Sequence, residues 1–174
     1  MVETSIRVCL VLVLIIMGIE DFKYRGIAWY FFPLLALLLW FSNTNFMIRD
    51  FMLNVGFLAC VYVLLSLWLS IKDKAIVHLC RLYLGPGDLL FLLCLAFYFP
   101  PVTFFLFYGL SLLLISMGYG LYYLLSVPEK QTIPLAGLQG GILLLILLIS
   151  WYSNIDLSDG HLFEPYIELA TLIL

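Results

Sequence analysis

"YLGPGDLLFLLCLAFYF", Tyr83 to Phe99, sets a glycine-proline-glycine break and one carboxylate, Asp88, directly against an apolar run. An ionised acid at the centre of a bilayer costs roughly 2.5–3.5 kcal/mol even on insertion scales, so such a residue needs a use or a partner. The rest of the chain shows that the bilayer is the right reference. Of its 174 residues 65% are hydrophobic and 11% charged, and mean hydropathy is +1.15, which no water-soluble domain of this size carries. A formal charge of -3, with eight scattered Lys and Arg, excludes a nucleic-acid partner.

Working outward, six segments are apolar enough for membrane helices: about 6–19, 27–41, 51–71, 89–99, 102–127 and 133–152. The predicted fold is all-α, a polytopic six-transmembrane-helix bundle forming a single domain over residues 1–174. No repeat or linker divides it. The first span lacks a basic leader and a small-x-small cleavage site, so it is read as retained. The fourth segment is the shortest and is closed by Pro100 and Pro101. It is either a half-span or begins earlier than its charges suggest.

Basic residues collect in cytoplasmic loops. With six spans, one side holds Lys23, Arg25, Lys72, Lys74, Arg81 and Lys130, and the other only Arg7 and Arg49. The expected orientation therefore has the basic loops in the cytoplasm and both termini outside. The acidic tail, with Asp156, Asp159, Glu164 and Glu168, follows the last span, and 162–174 is suited to the interface.

Asp21 closes the first span and Asp88 opens the fourth, with an even number of crossings between them. By parity they emerge on the same face. Two readings stay open: weak ion pairs in headgroup water with Lys23, Arg25 or Arg81, or a facing pair that shares one proton. In the second reading Gly85 and Gly87 supply unusual backbone angles or close approach, Pro86 stiffens the turn, and the break aims Asp88 inward. A helix start at Asp88 favours its anion, and a helix end at Asp21 favours its proton. Such a pair activates water against an amide without metal or organic cofactor. Cys9, Cys60, Cys80 and Cys94 form no CxxC pair and read as packing residues; His78 and His161 have no second ligand at helical spacing. No GxSxG or Cys/His arrangement offers another nucleophile.

These residues resemble a known group. "GPGD" before an apolar helix is similar to the GxGD signature of membrane aspartic proteases. "DFKYRGIAWYFF", Asp21 to Phe32, resembles the first-aspartate motif of type IV prepilin and preflagellin peptidases, and "QTIPLAGLQGG", Gln131 to Gly141, resembles the proline-containing opening of their last helix. The resemblance covers about residues 6–152. It implies Asp21 and Asp88 as the catalytic pair, with Gly85, Pro86, Gly87 and Pro134 as backbone support. It also implies a prepilin-like transmembrane substrate with a short basic leader, cleaved at the cytoplasmic membrane face. The family pattern has Pro-Asn after the isoleucine of the first motif, where Ala28 and Trp29 follow Ile27 here. It has a lysine where Leu90 stands and a second proline near Gly137. No cysteine-paired amino-terminal domain is present, so cleavage without N-methylation is expected, as in the short forms.

Lys23 and Arg25 are topology signals and candidates for tuning Asp21 or contacting substrate. Glu20, Asp73 and Glu129 either attract a basic leader or are solvated loop charges. Pro134 either leaves an edge for an extended peptide or sits in a helix's first turn. Gly118, Gly120, Gly140 and Gly141 are expected to allow close helix contact, and "WYFF" and "FFLFY" to anchor helices or face lipid. Two other functions suit the same acids: a small proton- or cation-coupled transporter, and a catalytically silent assembly protein.

Overall fold

The computed structural model describes residues 2–43, 45–73, 85–125 and 134–159. All regular structure in them is helical: α1 (Val2–Tyr24), α2 (Phe31–Ser42), α3 (Ile48–Asp73), α4 (Pro86–Leu95), α5 (Pro101–Leu125) and α6 (Leu135–Ser153). His78, Cys80, Arg81, Lys74, Glu129, Lys130, Gln131, His161 and the 162–174 tail lie outside the described residues.

Each helix of the core buries a stripe at helical spacing. In α1 it is Leu10, Leu14 and Met17; in α2, Phe32, Leu35 and Leu39; in α4, Phe91 and Leu95; in α6, Leu143 and Leu147. The stripes close a ring in which α1 packs on α2, α2 on α4, α4 on α6 and α6 on α1, the α1–α6 contact being the most extensive. Outside this ring α5 packs on α6 and α3 on α5. The outer faces stay apolar: Leu12, Ile16 and Ile19 on α1, Leu64 and Trp68 on α3, and Leu113, Leu114 and Met117 on α5 are all exposed. Such a continuous apolar surface belongs in lipid. Three helices, Ile48–Lys72, Pro101–Leu124 and Leu135–Ser153, are long and apolar enough to cross a membrane.

Two segments differ from the sequence expectation. The second was expected from residue 27, but α2 begins at Phe31, because Ile27–Tyr30 form the turn that returns the chain from α1. The fourth was expected over 89–99, yet α4 starts at Pro86, with proline at its first position, and stops at Leu95. Ten residues at 1.5 Å rise give about 15 Å, half of a bilayer's hydrocarbon core. Its last carbonyls are met by the turn that follows: Leu92 O accepts Ala96 N, Cys94 O accepts Phe97 N, and Leu95 O accepts Tyr98 N and Phe99 N. The carbonyls of that buried turn are met by two asparagines: Asn54 Nδ2 donates to Phe99 O at 2.8 Å and Ala96 O at 3.4 Å, and Asn43 Nδ2 to Phe97 O at 3.0 Å and Tyr98 O at 3.2 Å.

Several bland readings are corrected here. Gly118, Gly120 and Gly141 have open space where a Cβ would sit, and among those four glycines only Gly140 abuts another helix, 3.8 Å from Phe91. Phe32 of "WYFF" and Phe104 and Phe107 of "FFLFY" are core residues, set inward by their helix register. Cys94 is buried, and its Sγ donates to Phe32 O at 3.2 Å, while Cys9 and Cys60 are exposed.

Candidate functional site

Asp21 falls on the buried stripe of α1, one turn beyond Met17, and is only 8% exposed. Asp88 falls on the stripe of α4, one turn before Phe91. Each acid thus continues the core-facing row of its own helix to the same end of the bundle, where α6 begins.

The α6 start is what joins them. Pro134 is its N-cap, with φ -75° and ψ 79°, and offers no side chain to the orphan amides. Its carbonyl accepts from Leu138 N at 3.1 Å, which places the proline immediately before the first turn of α6. The next amides are capped from other helices. Ala136 N donates to Asp88 Oδ1 at 2.8 Å, and Gly137 N donates to Asp21 Oδ2 at 2.7 Å. Two carboxylates from opposite helices therefore sit on consecutive backbone donors at the positive end of one helix.

Asp88 takes a second amide. As the third residue of α4 it accepts Gly85 N through Oδ2 at 3.1 Å, while its own N–H donates to Gly85 O at 3.1 Å. Glycine serves here through size: a Cβ on Gly85 would meet Asp88 Oδ2 at 3.2 Å, and Gly85 has φ -65°, open to any residue. The expectation of unusual backbone angles at Gly85 and Gly87 is thus corrected, since no described glycine has positive φ. Gly87 lies beside Phe32, with a Cβ there 3.6 Å from the ring. The two amides and the helix start support a charge on Asp88, while burial and the Asp21 carboxylate oppose it.

No basic side chain among the described residues is within ion-pair distance of either acid; the one pair found there is Arg7–Glu3 at 2.6 Å. Lys23 is exposed, its Nζ over the Tyr24 ring at 5.1 Å. Arg25 ends α1 with φ 57°, and its N–H donates to Asp21 O at 3.0 Å, a left-handed C-cap usually given to glycine. Glu20 is half-buried, and its Oε2 accepts Ala28 N at 2.9 Å, which braces the α1–α2 turn.

A scan of protein-family models, a search of curated proteins and a search of solved structures found no match to this chain.

Sequence reasoning missed two residues near the site and one that supports the chain beyond the far end of α4. The first is Gly137, noted only as a departure from a pattern. A Cβ there would come 3.0 Å from both Cβ and Oδ2 of Asp21, so glycine is what lets α1 and α6 close on the acid. The second is Gln139, fully buried two residues further along α6, with Nε2 donating to Ser111 Oγ at 3.1 Å and Oε1 without a partner among the described residues. The third is Asn54, also fully buried, which holds the turn beyond α4. A lone amide inside an apolar span was the available signal for the last two. Among the described residues no group of three His, Cys, Asp or Glu could hold a metal ion.

Proposed function

We propose that this protein is a membrane aspartic endopeptidase that removes the leader of prepilin-like proteins at the cytoplasmic face of the membrane, without N-methylation. The observation that carries the reading is the seating of Asp21 and Asp88 on consecutive amides of α6, at one end of an apolar bundle. One carboxylate takes a proton from water as the oxygen attacks the peptide carbonyl. The protonated partner polarises that carbonyl, and the proton passes to the leaving nitrogen as the C–N bond breaks. The other oxygen of Asp21, Oδ1, carries no hydrogen bond among the described residues, which leaves it available for water. The basic-loop bias supports a cytoplasmic site, six crossings with α4 as a short one, and termini outside. A substrate helix must unwind at the cut, since a hydrogen-bonded backbone hides its carbonyl.

A second reading is favoured by the same hydrogen bonds. Both acids are N-caps of α6 supplied in trans, so a purely structural role in an assembly protein accounts for their burial. Incubation of the purified chain with a prepilin-like peptide separates the two. Cleavage that disappears in both Asp21→Asn and Asp88→Asn, with folding retained, supports the peptidase; absence of cleavage by the wild-type chain leaves the caps.

A further inference from the structure

At the end of the bundle opposite the dyad, α1, α2, α6 and the turn after α4 enclose a cavity of about 220 Å³. Arg7 lines it fourteen residues before Asp21, about 21 Å along α1 at 1.5 Å rise, with the buried Leu10, Leu14 and Met17 between. Sites for drug-sized ligands have roughly 300–1,000 Å³, so this one admits a group of a few heavy atoms.

The cavity holds donors that lack an acceptor. Tyr98 is 3% exposed, and its hydroxyl, which faces the charges of Arg7 and Asp156, makes no hydrogen bond among the described residues. Ser42 Oγ is likewise buried without a partner among the described residues. Arg7 gives Nη2 to Glu3 Oε1 at 2.6 Å, and its guanidinium lies over the Trp151 ring at 5.4 Å. Its plane is thus held while its other N–H donors stay unspent. A buried hydroxyl without a partner is costly, and two of them beside an arginine point to a missing acceptor. Arginine with hydroxyls is the donor set that phosphate oxygens take.

Charge narrows the choice of phosphate. Glu3 and Asp156 line the same cavity, two carboxylates against one guanidinium. Asp156 is fixed in place, its Oδ1 accepting Ser158 N at 2.9 Å and Ser158 Oγ at 2.7 Å. A plain phosphodiester would add a further negative charge where the dielectric is low, whereas one that carries its own ammonium would not. Two apolar residues of the lining, Phe41 and Ile155, are exposed, and Trp151 beside them is of a type that favours the membrane interface. A ligand with attached acyl chains suits such a rim better than a freely soluble one.

We propose that this cavity binds the zwitterionic headgroup of a phospholipid, a phosphodiester held by Arg7, Tyr98 and Ser42 with its ammonium, two carbons away, at Glu3 and Asp156. The acyl chains leave over Phe41 and Ile155 into the bilayer. The site needs nothing from Asp21 or Asp88.

The test uses the full chain in detergent, with native mass spectrometry after addition of equal amounts of phosphatidylethanolamine and phosphatidylglycerol of the same acyl chains. Phosphatidylethanolamine is expected to be retained about fivefold or more over phosphatidylglycerol. Arg7→Gln and Tyr98→Phe should each lower its retention by about tenfold or more, as loss of a hydrogen bond to a charged group does. Tyr98→Phe keeps the ring and removes a hydroxyl that no protein group uses, so the unfolding midpoint without lipid should not fall, which separates lost binding from lost folding. Glu3→Gln removes one of the two carboxylates and should shift the preference toward phosphatidylglycerol. Equal retention of the two lipids by the wild-type chain, or a preference that survives both Arg7→Gln and Tyr98→Phe, overturns the proposal. Glycerophosphoethanolamine, the same headgroup without chains, fixes the source. No rise in the wild-type unfolding midpoint with it, against a rise with the lipid, supports a lipid ligand; an equal rise with both, lost in Arg7→Gln, overturns the lipid in favour of a soluble zwitterion.

Discussion

Gly137 and Asp21 meet in tight contact: Gly137 N donates to Asp21 Oδ2 at 2.7 Å, at a position where a Cβ would stand 3.0 Å from the aspartate side chain. A methyl group there would meet Asp21 Cβ and Oδ2 at 3.0 Å and push α1 and the carboxylate outward.

Gly137→Ala is therefore expected to lower kcat/KM by about tenfold or more, since misplacement of a reacting group by a fraction of an ångström is already costly. Gly118→Ala, at a position with open space around it, is the control. It should leave cleavage unchanged and, in an exposed helix, add roughly 0.5–1 kcal/mol of stability. Peptide cleavage and thermal unfolding in detergent check both.

The pair should also separate chemistry from capping. Asp21→Asn and Asp88→Asn keep an oxygen to accept Gly137 N and Ala136 N, so folding is expected to survive while cleavage falls by about 10²–10⁴. Replacement by Ala removes the acceptor as well and should cost a further ~0.5–2 kcal/mol of stability at each site. Unfolding midpoints of the Asn and Ala variants, measured together with rates, distinguish the two contributions.

The peptidase proposal requires one acid charged and the other protonated, and so predicts a bell-shaped dependence of kcat/KM on pH. Below the lower macroscopic pKa both carboxyls are protonated and no base remains. Above the upper one both are ionised and no acid remains. A rate that rises and stays level across the alkaline side would mean that one acid alone does the work.

At the far end of α4, Asn54→Leu keeps the volume but strands the carbonyls of Phe99 and Ala96 in a buried turn. It should destabilise the bundle by about 1–3 kcal/mol. Protease resistance of the folded chain in detergent should fall in parallel.

Arg25 holds φ 57° to end α1, a conformation that costs an L side chain about 1–2 kcal/mol. Arg25→Gly is expected to recover part of that and raise the unfolding midpoint, whereas Arg25→Ala, strained alike, should not. If both variants raise it equally, the gain comes from elsewhere.

Residue types and spacing alone determined that this chain is helical and lipid-bound. Sixty-five per cent hydrophobic composition leaves no other solvent, and a polypeptide in lipid must satisfy its backbone within helices or closed barrels. The same information marked Asp21 and Asp88 as residues to explain, because a charge beside an apolar run is expensive wherever it occurs. What no reading of the chain contained was the first turn of α6. Its two amides, Ala136 N and Gly137 N, carry no side-chain signature, and their use depends on three helices meeting at one point. The same holds beyond α4: hydropathy saw apolar residues through Phe99, but the carbonyls of the buried turn at 96–99 are met by Asn43 and Asn54, which offer donors only once the bundle has closed. Hydropathy is a property of residues one at a time; the pairing of orphan backbone groups is a property of the packed whole.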